Sequence, residues 1–581
     1  MSDVLKVKIG GQAGQGIKSS GLLFAKFASR SGFFVYNYTE FPSIIRGGHN
    51  VMQINVSKEK VTGPSLKTNV LIALNQETIN KHSGELESPS GVVFDSDDKL
   101  DLSLVSAETI KYPVPLSKLA REAGGGDLLI NTVALGSLVA VLGGKPEVLQ
   151  DLLTEEYGDK GEAVVQENQK ALELGHRYVI QNFPDHVLDS GVGLDSRFRE
   201  NDNSAVDRSK IVLNGNEAVA LGAIAGGMQF ASIYPMSPIT NILHVLAKHQ
   251  EEFGYVYKQP EDEISAINMA IGAAFAGARS MVATSGGGFC LMSEAYGLAG
   301  MTETPIVIFE GMRGAPATGL PTWTEQGDLR FVLHAHQGEF PRIVLVAGDV
   351  EEAFYLARKA FNLAEKYQTP VLILLDKYIC ESHESVLPFD NNDFEIDRGN
   401  FSADKLNEKY MRYALAENGI SQRTIPGTGN FIMANSDEHT QEGYSNEEAE
   451  MRIAQMNKRM QKLKTCEKED MEKPILYGPK DAETTIVSWG SNKGPILESL
   501  KSLPNVNYLH LIWINPFPVD AVKEALQNSK HIINIECNYS AQMKGLIKEK
   551  TGIEIKEEVL RYDGRPFYPE DIVERVKGST K

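Results

Sequence analysis

Short runs of β-branched and aliphatic residues alternate along this chain with longer stretches of helical period. In the first third, the runs at 4–9, 51–56, 70–73 and 92–94 read as strands, and 22–31 reads as an amphipathic helix. The alternation restarts near residue 210, with strand-like runs at 211–213, 281–284, 306–309, 343–346 and 371–375. Helical stretches rich in Ala and Gly, 218–228 and 266–278, lie between them, and side chains that small let a helix pack close to a sheet or another subunit. A third block has runs at 485–488, 508–513 and 532–535. Two segments break the pattern: 186–209 is polar and Gly-containing and reads as a linker, and 388–478 carries charged helices, chiefly 446–468. The chain is therefore expected to form three α/β domains, at 1–185, 210–387 and 479–581.

Composition narrows the function classes. A chain of 581 residues, 42% hydrophobic, can bury several cores. A net charge of −19 argues against a surface that tracks nucleic-acid phosphates. The N-terminus, MSDVLKVKIGGQ, has no apolar signal core, and no apolar run approaches the roughly 20 residues that span a bilayer, so the chain reads as cytoplasmic with no membrane contact. The four cysteines, Cys290, Cys380, Cys466 and Cys537, lie far apart with no Cys-x-x-Cys pair. They are expected to be buried thiols acting as small apolar side chains, not metal ligands, so any redox cluster sits on another chain.

Several motifs carry chemistry. Gly10-Gly11-Gln12-Ala13-Gly14-Gln15-Gly16 follows a strand and opens a helix, a setting in which backbone N–H groups hold an anion; Gly11, Gly14 and Gly16 are the candidates. A tight turn without ligand explains it equally well, and its spacing is not that of a dinucleotide fingerprint, which makes a nicotinamide or flavin enzyme a weak rival. Later come Phe41-Pro-Ser-Ile-Ile-Arg46-Gly47-Gly48-His49 and Asn131-Thr-Val-Ala-Leu-Gly136. In Ile233-Tyr234-Pro235-Met236-Ser237-Pro238-Ile239-Thr240, two prolines stiffen a strand-end loop that offers Ser237 and Thr240 as donors; a plain Pro-rich turn with Thr240 as helix cap is the alternative. Glu261-Asp262-Glu263 opens a helix, where the dipole alone favours carboxylates. Beyond Ser285-Gly286-Gly287-Gly288 comes Gly311-Met312-Arg313-Gly314-Ala315-Pro316-Ala317-Thr318, in which Arg313 either grips a ligand carboxylate or pairs with Glu310 or Asp328.

In this order the stretches resemble the 2-oxoacid:ferredoxin oxidoreductases, with a γ-type domain fused ahead of an α subunit. Met236 and Ser237 stand where many members have Ile and Thr. The string from Thr318 to Asp328 looks like that of 2-oxoglutarate enzymes, as do Pro426-Gly427-Thr428-Gly429 and Asp437-Glu438-His439, where the histidine is expected to be solvated and to play no part. Ser488-Trp489-Gly490-Ser491-Asn492, Pro516-Phe517-Pro518 and Glu536-Cys537-Asn538-Tyr539 resemble the family's C-terminal domain.

The resemblance implies a pyrimidine-binding domain of the thiamine diphosphate enzymes at 210–387 and a transketolase C-terminal-like domain at 479–581. It places the glutamate that hydrogen-bonds the cofactor's aminopyrimidine N1′ at Glu263, with Glu261 the alternative. Tyr234, Pro235 and Ser237 line the cofactor, and Arg313, Ser237 and Thr318 bind the 2-oxoacid. The first Gly-rich loop is assigned to CoA binding. This chain has no Gly-Asp-Gly, so the resemblance assigns Mg²⁺, the diphosphate site and the [4Fe–4S] cluster to a separate β subunit in an (αβ)2 complex. The implied reaction is CoA-dependent oxidative decarboxylation with electrons passing to ferredoxin. The substrate leans to 2-oxoglutarate, with pyruvate, branched-chain and aryl 2-oxoacids as alternatives. A non-catalytic scaffold of a redox complex is the rival from another class.

Overall fold

The computed structural model describes residues 4–42, 48–185, 208–406 and 409–579. Residues 186–207 of the expected linker, and Arg46 and Gly47 of the second motif, lie outside the described residues. The chain is α/β throughout and divides into two compact units. The first runs to residue 213 and takes in 382–388 and 568–571; the second holds the rest.

The first unit is built on an eight-stranded sheet in the order Ile110–Val114, Leu86–Asp95, Thr68–Ala73, Val4–Gln12, His49–Ser57, Phe34–Glu40, His383–Val386 and Ile211–Asn214. Val4–Gln12 runs parallel to Thr68–Ala73 and antiparallel to His49–Ser57, with Val7 beside both Val70 and Ile54. An interior strand covered on both faces buries nearly every side chain. Even Lys6 and Lys8 are buried; they pair with Glu87 at 3.4 Å and with Glu85. The run 211–213 does not open the second block as its pattern suggests. It forms the edge of this first sheet, because a short apolar run specifies a strand and not the neighbour it pairs with.

Helices Ile130–Val141 and Glu162–Asn182 cross at two glycines. A Cβ on Gly136 would stand 2.1 Å from the Leu172 carbonyl oxygen, and one on Gly175 2.1 Å from that of Val133. Backbone cannot swing aside as a side chain can, so Gly136→Ala must push the helices apart. We expect it to destabilise the first unit by about 1–3 kcal/mol, seen as a lower melting temperature in differential scanning calorimetry; an unmoved transition would contradict this crossing.

The second unit holds two sheets. One has seven strands in the order Trp513–Asn515, Ile343–Val346, Pro370–Asp376, Ile306–Met312, Ser280–Thr284, Phe230–Ser232 and Val256–Lys258, all parallel except the first. The other has five: Ile475–Tyr477, Val506–Leu511, Thr484–Trp489, His531–Glu536 and Glu557–Leu560. The run 508–513, which the sequence suggests is one strand, is split between them. Val506–Leu511 stays in the smaller sheet and Trp513–Asn515 joins the larger. One core runs through both, with Val487, Trp489 and Leu509 packed together with Ile308, Val344 and Leu372.

Among the described residues of 388–478 there is one long helix, Ala449–Glu469, and it docks through charge. Lys458 and Lys462 each reach Glu303 at 2.6 Å, and all three are buried. Burial alone would raise the Glu303 pKa, but the two lysines and Arg412 outweigh it and hold the carboxyl well below its usual range. Arg459, also buried, pairs with Glu438 at 2.6 Å. His439 is not solvated: it is 1% exposed, its ring lies 4.0 Å from that of Tyr413, and its Nδ1 is 3.0 Å from the Asp437 carbonyl oxygen. Among the described residues no single helix is long and apolar enough to cross a membrane, and no cluster of His, Cys, Asp and Glu could hold a metal ion.

Candidate active site

The strand order of the seven-stranded sheet reverses at Phe230–Ser232. The next strand in sequence, Val256–Lys258, lies on its outer side, and the one after, Ser280–Thr284, on its inner side. Connections leaving in opposite directions open a crevice at the carboxyl ends of the strands, where α/β sheets bind ligands. The segments that follow four neighbouring strands there carry Tyr234 to Ser237, Glu263, Gly286 to Gly288, and Arg313.

The loop after Phe230–Ser232 is tied down in its second half. The Ile239 N–H donates to the Met236 carbonyl at 3.0 Å, and the Asn216 amide donates to the Pro238 carbonyl at 2.8 Å. Asn216 sits in the first turn of helix Gly215–Ala225, which Asn214 and Glu217 close with a reciprocal capping box. Tyr234 and Pro235 are half-buried and Ser237 is exposed. Gly311 lets the neighbouring strand end lie against this loop, since a Cβ there would come within 2.6 Å of the Ile239 side chain.

Arg313 donates through Nη1 to the backbone carbonyl of Ser237 at 2.8 Å. It is half-buried and forms no ion pair among the described residues, with neither Glu310 nor Asp328 serving as its partner. Burial lowers its pKa, the response of a guanidinium with no neighbouring carboxylate. Thr318 lies exposed on a loop closed by the Gly314 N–H donating to Trp323 and the Leu320 N–H to Gly314. The structure thus brings Arg313 and Ser237 together; among the described residues no hydrogen bond joins Thr318 to either.

Glu263 is the one of its three neighbouring acids that is buried, at 4% exposure; Glu261 is exposed and Asp262 caps the helix through the Ser265 N–H at 2.8 Å. Its Oε1 is buried with no hydrogen-bond partner. A Cβ on Gly288 would stand 2.7 Å from that oxygen and 2.0 Å from Thr284 Oγ1, so the glycine leaves the space the carboxyl occupies. A buried carboxyl oxygen without a donor costs stability unless a ligand supplies one. This fits a ring nitrogen such as the aminopyrimidine N1′ of thiamine diphosphate.

One supporting residue has no signal in the sequence. Gln326, buried, ends the loop that begins at Arg313: its amide donates to the Trp489 carbonyl at 2.9 Å, and its oxygen accepts from the Cys537 N–H and from Asn492, each at 2.9 Å. The C-terminal sheet thereby anchors that loop. The cysteines divide: Cys380, Cys466 and Cys537 are buried, whereas Cys290 is exposed on helix Gly286–Met301, a correction to the expectation that all four are buried.

In the first unit, the strand continues through Gly10 and Gly11 to Gln12, so the turn is shorter than the motif suggests. Gln15 folds back to accept from the Gln12 N–H at 2.6 Å and, with Ile17, fills the space a Gly11 side chain would need. Gly14, at φ 93°, borders open space, and Gly16, at φ 70°, begins helix Ile17–Arg30. The Asn131 amide would lie 2.3 Å from a Cβ on Gly16, which places the third motif against the first.

The chain is 32% identical to a 2-oxoacid:ferredoxin oxidoreductase subunit alpha from a Sulfolobus species, over 98% of this chain and 96% of that one. The chain belongs to the 2-oxoacid:ferredoxin oxidoreductase family. Within this family it is of the α-subunit kind. Residues 221–462 match the thiamine diphosphate-binding domain model of the pyruvate flavodoxin/ferredoxin oxidoreductases, and residues 6–178 match the pyruvate ferredoxin/flavodoxin oxidoreductase model. The 2-oxoglutarate oxidoreductase subunit KorA of Mycobacterium tuberculosis is 28% identical over 97% of this chain and 90% of its own. A solved 2-oxoglutarate:ferredoxin oxidoreductase from Magnetococcus marinus, with 2-oxoglutarate, coenzyme A and succinyl-CoA bound, is 31% identical and superposes over the whole of both chains with a TM-score of 0.88.

Proposed function

We propose that this 2-oxoacid:ferredoxin oxidoreductase subunit contributes one wall of a thiamine diphosphate site for the CoA-dependent oxidative decarboxylation of 2-oxoglutarate. The observation that carries the reading is the buried, unpartnered Oε1 of Glu263 at the carboxyl edge of the sheet. When bound, thiamine diphosphate supplies the carbanion stabilisation that decarboxylation requires. Glu263 holds the proton exchanged with the aminopyrimidine N1′, and Tyr234, Pro235 and Ser237 form a stiff edge against the cofactor. Arg313, already oriented by the Ser237 carbonyl and free of a carboxylate partner, grips the carboxylate of the 2-oxoacid, with Thr318 on the adjoining loop. Support for 2-oxoglutarate comes from the Thr318 to Asp328 string and from the substrate named for the Magnetococcus and Mycobacterium relatives.

A β subunit supplies Gly-Asp-Gly, Mg²⁺ and the [4Fe–4S] cluster; it joins this chain in a cytoplasmic (αβ)2 complex that reduces ferredoxin, and the turn at Gly11, Gly14 and Gly16 takes part in CoA binding. Co-expression with the genomic neighbour that carries Gly-Asp-Gly and Cys-x-x-Cys tests this. The purified pair is expected to reduce a viologen dye only with CoA, faster with 2-oxoglutarate than with pyruvate or 2-oxoisovalerate. Inactivity with every 2-oxoacid, from a complex loaded with cofactor and cluster, would reject the enzyme in favour of a scaffold.

A further inference from the structure

Glu310 lies three residues before Arg313 on strand Ile306–Met312, is fully buried, and receives no hydrogen bond at either carboxyl oxygen from the donors around it. Glu310 stands opposite Thr284 on the neighbouring strand, two residues before Gly286, and the side chain that interacts with it there is another acid, Asp328. Asp328 does not cap the helix that follows it, Leu329–His334. Its Oδ2 instead fills the space beside Gly286, 2.5 Å from where a Cβ on that glycine would stand. Gly286 is the first residue of helix Gly286–Met301, and two residues later Gly288 makes room for Glu263. The Gly286-Gly287-Gly288 run therefore lies between Asp328 of the acid pair and the glutamate assigned to the cofactor.

We propose that Glu310 and Asp328 share one proton and act as a positioning pair, Glu310 donating to Asp328, so that the start of helix Gly286–Met301 and the Glu263 beside it stay fixed against the cofactor. The inference rests on the thiamine diphosphate reading above. Two carboxylates in contact inside a protein cannot both ionise at modest cost, so one keeps its proton. The proton belongs on Glu310, which is the more deeply buried. Asp328 stands at a helix N-terminus, where negative charge is favoured. Burial first, and the Asp328 charge second, push the Glu310 pKa well above its ordinary value. The other titratable groups facing the pair are the thiols of Cys290 and Cys380, from helices Gly286–Met301 and Lys377–Glu381, and the Glu325 carboxyl beside Asp328. Among the described residues no cation stands with them to favour ionisation of both acids.

The test uses the assembled complex with wild type, Glu310→Gln and Glu310→Ala. Infrared spectra at neutral pH should contain a protonated-carboxyl band in wild type that is missing from Glu310→Gln. The amide still donates to Asp328, so Glu310→Gln should keep kcat within about threefold and lose the alkaline fall in kcat that wild type shows when the shared proton leaves. Glu310→Ala should lower kcat by about tenfold or more and weaken thiamine diphosphate binding, with the KM for the 2-oxoacid little changed. Absence of the band, an identical alkaline limb in wild type and Glu310→Gln, or equal activity losses in both variants would each overturn the proposal. If the complex turns over no 2-oxoacid, the functional reading fails on its own; the band and the cofactor affinity still decide the pair.

Discussion

Glu263→Gln is expected to lower kcat of the assembled complex by about 10²–10⁴-fold, the range for removing a positioned proton-transfer group. The amide matches the carboxyl in volume, so the packing against Gly288 and Thr284 should survive and the melting temperature should move little. What it loses is a group that can hold and release a proton opposite a ring nitrogen. Steady-state viologen reduction, set beside thiamine diphosphate affinity, checks this. A variant with unchanged turnover would show that Glu263 is only a buried helix-start acid and would turn the role over to Glu261, the exposed alternative.

Replacing Arg313 by Met should raise the KM for the 2-oxoacid by about 10–100-fold, since a hydrogen bond to a charged group contributes roughly 1.5–3 kcal/mol and each 1.4 kcal/mol is tenfold. Met keeps much of the apolar stem, so the loss is that of the guanidinium's charge and hydrogen bonds. Part of the effect falls on kcat as well, because the guanidinium also ties down the Ser237 carbonyl at 2.8 Å. Lys in its place should recover only a fraction of the affinity, because an ammonium cannot bind a carboxylate side-on while also holding that carbonyl. Initial-rate kinetics over a substrate series separates the two constants. An unchanged KM would move carboxylate recognition to another residue.

The parts of this candidate site that the sequence proposes are local. The stiff loop around Ser237, an acid at the start of a small-residue helix and an arginine just past a strand each depend on neighbours within a few positions, and those neighbours stand in the sequence itself. Gln326, Gly288 and the Glu310–Asp328 pair were not legible in that way. Their importance comes from what lies against them: Trp489 and Cys537 for Gln326, Glu263 for Gly288, and Asp328 for Glu310, an acid that looks ordinary at the end of a strand.

The same division holds for the fold. By itself the sequence determined the α/β class, most of the strands and helices, and the family, since hydrophobic period and turn chemistry are properties of short windows. Only the tertiary structure decided that 211–213 belongs to the first sheet, that 508–513 divides between two sheets, and that the polar helix Ala449–Glu469 is buried on a face. A strand's period says which faces it shows and not which edge it joins. A lysine reads as solvent-facing until a buried carboxylate such as Glu303 stands 2.6 Å away, because long-range charge pairing leaves no periodic trace in the chain.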